Sequence, residues 1–83
     1  ILNDYNDRNT VVAHLSMDHN ERALELLATM PEDAVTEYLR AIACSRLGRK
    51  EEGREHFLEA CRLDGRMEYR GNLDPEIAEL LKR

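Results

Sequence analysis

Long hydrophobic runs are missing from this 83-residue chain. No apolar stretch approaches the ~18 residues of a membrane span, so direct membrane insertion by this segment is not expected. Positive charge is scarce and scattered, with 12 Lys and Arg against 17 Asp and Glu and a net charge of −5. Nucleic-acid binders concentrate basic residues in a patch. Here bases and acids alternate, as in Arg49-Lys50-Glu51-Glu52, so no nucleic-acid partner is expected. Trp is absent, and the aromatic set is only Phe57, Tyr5, Tyr38 and Tyr69. The two cysteines, Cys44 and Cys61, are spaced for neither a metal site nor a CxxC redox motif. They read as small buried apolar residues, with a disulfide between them left open if the compartment is oxidising. The start, Ile1-Leu2-Asn3-Asp4, has no initiator Met and no signal-peptide pattern. The expectation is a domain cut from a longer protein, its compartment (cytoplasmic or periplasmic) undetermined.

Helical periodicity is what the chain does have. A hydrophobic content of 42% is globular, and 35% charged residues suits helices with wide solvated faces. Displacing the sequence against itself by 30 residues aligns Val12 with Ile42, Ala13 with Ala43 and Met17 with Leu47. It also aligns Glu21 with Glu51, Ala23 with Gly53, Leu27 with Phe57 and Met30 with Ala60. The matches fall three and four residues apart and pair small with small and large with large. An internal repeat of this length signals stacked helix pairs.

The first copy, about residues 4–33, predicts one helix from Asn9 to Met17 and a second from Asn20 to Met30, stopped by Pro31. The second copy, about 34–67, predicts a helix from Ala34 to Leu47, capped by Asp33. Its apolar stripe is Val35, Leu39, Ile42, Ala43 and Leu47. Gly48 stands where a helix end needs the left-handed conformation. The partner helix, Lys50 to Leu63, is expected to bury Gly53, Phe57, Ala60 and Cys61, and Gly65 to end it. Arg66 to Leu73 reads as irregular and polar, with Gly71 and Asn72 as turn residues. Asp74-Pro75 is an N-cap followed by proline in the first helical turn. A final helix over 74–83, apolar at Ile77, Leu80 and Leu81, is expected to cap the stack.

In the second copy Ala41 stands as the small residue of the first helix, and Leu47-Gly48-Arg49 forms the turn. Gly53, then Phe57 and Ala60, follow an A-x3-F-x2-A pattern, and Leu63-Asp64 closes it. These residues resemble the tetratricopeptide repeat family, whose unit is about 34 residues. Gly53 stands for the usual alanine, at about 1 kcal/mol of helix propensity unless close packing offsets it. Asp18 stands for the turn glycine in the first copy, and Leu27 for the aromatic. The resemblance implies an all-α, right-handed α-hairpin repeat stack of about two helix pairs plus a capping helix. It also implies a concave surface lined by the first helix of each pair, which holds a peptide or a segment of a protein partner. Carried onto this chain, that surface is Arg8, Val12 and Leu15, then Tyr38, Ile42, Ser45 and Arg46. Members that clamp acidic chaperone tails use a Lys and asparagines there. Arg8 alone could stand for the Lys, and Val12 and Leu39 replace the asparagines, so that specificity is not expected.

Several of these positions have a plainer reading. Val12, Leu15 and Ile42 suit core or edge packing, and Arg8 and Arg46 suit solvated helix faces. Tyr38 serves a core edge and a recognition surface equally well. The residues also offer little chemistry. His14 and Asp18 are one turn apart with His19 beside them, but no second ligand motif accompanies them, so no metal is expected. Glu51, Glu52 and Glu55 alternate with Arg49, Lys50 and Arg54 as a salt-bridged face. No phosphate loop, nucleophile elbow or diagnostic Cys–His pairing occurs. The expectation is a cofactor-free, non-enzymatic interaction scaffold. The alternative is a spacer or assembly module, self-associating or packed on a neighbouring domain, in a larger and possibly envelope-associated bacterial protein.

Overall fold

Six helices form in the computed structural model, which describes residues 8–82: α1 (Arg8–Ser16), α2 (Asn20–Leu27), α3 (Ala34–Arg46), α4 (Lys50–Leu63), α5 (Arg66–Asn72) and α6 (Pro75–Leu81). Helix covers 77% of the described residues and none lies in a strand, so the chain is all-α. The expected start of the first copy near Asp4, and the polar end of the last helix at Arg83, lie outside the described residues.

The turns that end α1 and α3 have the same construction, 30 residues apart. Asp18 takes φ 61° and Gly48 takes φ 80°, both left-handed. The amide of His19 then donates to the carbonyl of His14, and that of Arg49 to the carbonyl of Cys44, each at 2.8 Å. A short polar side chain is the main non-glycine tolerated in this conformation. That is why Asp18 can replace glycine in the first copy. The expected caps also correspond to contacts. Asp33 accepts from the Thr36 amide at 2.8 Å, and Asp74 Oδ1 accepts from the Glu76 amide at 2.9 Å.

Two boundaries differ from expectation. α2 stops at Leu27 rather than Met30. The Thr29 and Met30 amides turn back to Leu26 and Leu27, and the Thr29 hydroxyl takes the Leu26 carbonyl, tightening the chain ahead of Pro31. Residues 66–72, read as irregular, form the helix α5. Asp64 starts it by accepting from the Arg66 amide at 3.0 Å, and Met67 and Gly71 bury against its neighbours. Seven residues would not hold a helix alone; packing supplies what the local sequence does not.

α3 is the shared wall of two hydrophobic clusters. Tyr38, Ala41 and Ile42 join Phe57, Ala60, Met67, Ile77 and Leu80 on one side. Leu39 and Ala43 join Val11, Leu15, Ala23, Leu26 and Leu27 on the other. A helix covered on both sides buries even Thr36 and Glu37. Glu37 is satisfied there by Arg40 Nη1 at 2.7 Å and His56 Nδ1 at 2.6 Å. Arg40 also donates to the Leu27 carbonyl at 2.7 Å, tying the end of α2 to α3.

Glycine allows the last helix pair to close on α4. A Cβ at Gly71 would stand 2.5 Å from Cε1 and Cζ of Phe57 and 3.1 Å from Ile77 Cγ2. Gly71→Ala is therefore expected to destabilise the fold by about 1–3 kcal/mol, the usual cost of overpacking. Gly65, with nothing within 4 Å of an added Cβ and φ −57°, is the control. Gly65→Ala should leave stability unchanged or raise it by up to about 1 kcal/mol. Urea denaturation with matched m-values checks both, and equal midpoints for the two variants would refute the close packing.

Candidate interaction cleft

The sequence-derived surface residues are distributed over three depths. Val12 is half exposed, while Leu15, Tyr38 and Ile42 are buried. Ser45 is partly buried at the far end of α3. Arg8 opens α1, and its side chain lies outside the described residues. Five of the seven, Val12, Leu15, Tyr38, Ile42 and Arg46, line one concavity of about 290 Å³. Ser45 does not reach it.

Three further lining residues come from the C-terminal helix pair, Arg70, Asp74 and Glu76. None had a sequence signal for this role beyond the Asp74-Pro75 cap. The cleft thus has α1 as one wall, α3 as its floor, and the end of α5 with the start of α6 as the opposite wall.

Its polar groups are tied to one another. The Tyr38 hydroxyl donates to Asp74 Oδ2 at 2.7 Å. The Tyr38 ring meets Phe57 edge to face at 6.1 Å, and the Arg70 guanidinium lies 4.7 Å above its centroid. Such a stack is worth about 0.5–1 kcal/mol when exposed. Arg46 bridges the cleft. It holds both oxygens of Glu76, from Nε at 2.9 Å and Nη2 at 2.7 Å. Its Nη1 donates to the Leu15 carbonyl at 2.7 Å, with Asn20 Oδ1 at 3.4 Å and Asp18 Oδ1 at 3.7 Å. One side chain therefore joins the end of α1, the start of α2 and the start of α6. A bidentate guanidinium fixes this geometry in a way a lysine would not.

Other chemistry-bearing groups stand apart. Cys44 is buried and Cys61 half-buried, both as free thiols. Burial pushes both thiols above their ordinary range, which keeps them protonated and weakly nucleophilic. The His14 and His19 rings lie 5.7 Å apart between centroids, tilted by 41°. Among the described residues, no three His, Cys, Asp or Glu side chains converge as a metal site. A larger concavity of about 470 Å³ lies beside the α1–α2 turn, but its lining is polar except for Leu47. Among the described residues no helix is long and apolar enough to cross a membrane. No family model matches the chain, nor does any curated protein or solved structure.

The Tyr38–Asp74 pair gives the cleft a pH dependence. Burial first, and then the hydrogen bond to the Asp74 carboxylate, hold the phenol well above the ordinary tyrosine range. The unfolded chain releases this proton near pH 10, before the folded chain does. The stabilisation is complete below that pH and is lost as pH rises toward the folded-state value. Tyr38→Phe should be less stable at neutral pH by about 0.5–1.5 kcal/mol, and its stability should decline less steeply above about pH 10. Denaturation midpoints measured across the alkaline range test this; parallel declines for the two proteins would exclude it.

Proposed function

We propose that the chain is a protein-interaction module built as a short tetratricopeptide-like helix-pair stack, in which the α1–α3 cleft receives a partner segment. The observation that carries this reading is the gathering of Val12, Leu15, Tyr38, Ile42 and Arg46 around one concavity. The repeat reading is supported by the two identically built turns and by elongated dimensions of 41 × 24 × 19 Å. α5 and α6 act as the cap that closes the stack and also serve as the third wall of the cleft. The carboxylates of the cleft make structural contacts. Asp74 caps α6 and accepts from Tyr38, and Glu76 is held by Arg46.

Val12 is the residue of choice for a test, being half exposed and therefore removable without damage to the core. Selection of a displayed peptide library on the intact chain should enrich segments that shift the amide resonances of α1 and α3. Val12→Asp should weaken the selected peptides about tenfold or more, equal to 1.4 kcal/mol or above. Its stability should stay within about 0.5 kcal/mol of the parent. Peptides that bind Val12→Asp unchanged, or that shift only other elements, would disprove the groove.

A second reading, assembly through a helix face, is favoured by α5. Tyr69 and Leu73, one turn apart, are 71% and 70% exposed. Large exposed side chains grouped on one face mark contact sites. If this face assembles, sedimentation at rising concentration should show association that Tyr69→Ser with Leu73→Ser removes. A concentration-independent monomer would eliminate it.

A further inference from the structure

The charged groups of the cleft differ in whether they already have a charged partner. Its formal charges balance, Arg46 and Arg70 against Asp74 and Glu76, so net charge does not choose a ligand. Occupancy does. Glu76 gives both oxygens to Arg46, and Asp74 gives one to the Tyr38 hydroxyl and the other to the Glu76 amide. The Arg46 N–H groups point at Glu76 and the Leu15 carbonyl. Arg70 differs. Its residue is exposed, its guanidinium lies over the Tyr38 ring, and among the described residues it has no carboxylate partner. A guanidinium has five N–H donors in a planar fork that matches a carboxylate. Stacking on the tyrosine holds that plane, and a hydrogen bond with the Tyr38 hydroxyl engages only part of the five donors.

Apart from Tyr38 and Ser16, the rest of the lining is aliphatic. Val12 stands half exposed above Leu15 and Ile42. A volume of about 290 Å³ is at the small end of the ~300–1,000 Å³ range of ligand sites. It has room for one or two side chains of a short motif and not for a whole helix. An open donor fork beside a small aliphatic floor defines the complement.

We propose that this cleft selects a peptide segment carrying a carboxylate next to an aliphatic side chain, with Arg70 taking the carboxylate and Val12, Leu15 and Ile42 taking the aliphatic group. This rests on the groove reading above and adds the chemistry of the guest.

Three blocked peptides test it: Ser-Leu-Asp-Leu-Ser, the same peptide with Asn for Asp, and the same with Lys for Asp. Each is titrated into the full chain with amide shifts recorded. The Asp peptide should bind about tenfold tighter than the Asn peptide, the scale of one charge-assisted pair. It should shift the Val12, Leu15 and Ile42 amides, and bind more weakly at high salt. Arg70→Gln should remove the difference between the Asp and Asn peptides, while Arg70→Lys, which keeps the charge but not the stacked fork, should keep only part of it. Equal binding of the Asn or Lys peptide at those same amides would overturn the carboxylate preference and leave the groove intact. Shifts confined to other helices with all three peptides would overturn both. An absence of shifts with all three at millimolar concentration would remove the guest chemistry, leaving the groove to the library selection.

Discussion

The fold depends on how closely the last two helices approach α4. Gly71 lets α5 press against the edge of Phe57, and Gly53 lets Leu80 of α6 approach α4 near the carbonyl of Ala41. Glycine in a helix interior costs about 1 kcal/mol against alanine. Burial outweighs that cost. Ile77 and Leu80 are fully buried in α6, and each is worth about 1.5–3 kcal/mol. Without the close approach, α6 would stand off from α3, and both the Tyr38–Asp74 bond and the Arg46–Glu76 pair would be out of reach. The cleft is thus a consequence of two missing methyl groups on the far side of the core.

Polar ties then decide register rather than stability. Arg46 and Glu76 keep 28% and 38% of their side chains exposed. An ion pair so placed contributes about 1 kcal/mol or less, well below the apolar burial of α6. What it adds is geometry, since one guanidinium must satisfy α1 and α6 together. The Glu37–Arg40–His56 group is the buried counterpart. It links α2, α3 and α4, and removing one partner would leave a charge in the core, which is far costlier than losing a surface pair.

The elements written in local chemistry were legible in the sequence. Gly48, Asp33 and Asp74-Pro75 each signal a backbone state that a single residue type favours, and each marks a helix end in the structure. The displacement of 30 residues also places Asp18 opposite Gly48, and the structure gives both a left-handed backbone. What escaped reading depends on partners distant in sequence. α5 is too short to announce itself, and it persists because Met67 and Gly71 find α4 and α6. Glu37 looks like a solvated helix residue, yet it is buried because α3 is covered on both sides. The Arg70 contribution to the cleft has the same origin, since it faces Tyr38 from 32 positions along the chain.

Equivalent positions with unequal surroundings explain why a cleft exists at all. Val12 and Ile42 occupy the same place in their helices, and the turns that follow are built alike. Ile42 is only 6% exposed because α5 and α6 pack beside α3. Val12 is 50% exposed, with no such pair among the described residues against that side of α1. A repeat that buried both equally would have a continuous core and no groove. Here the second copy is closed by the C-terminal pair and the first is left open beside it. The cleft lies at that step, where apolar side chains of α1 and α3 meet polar side chains of α5 and α6.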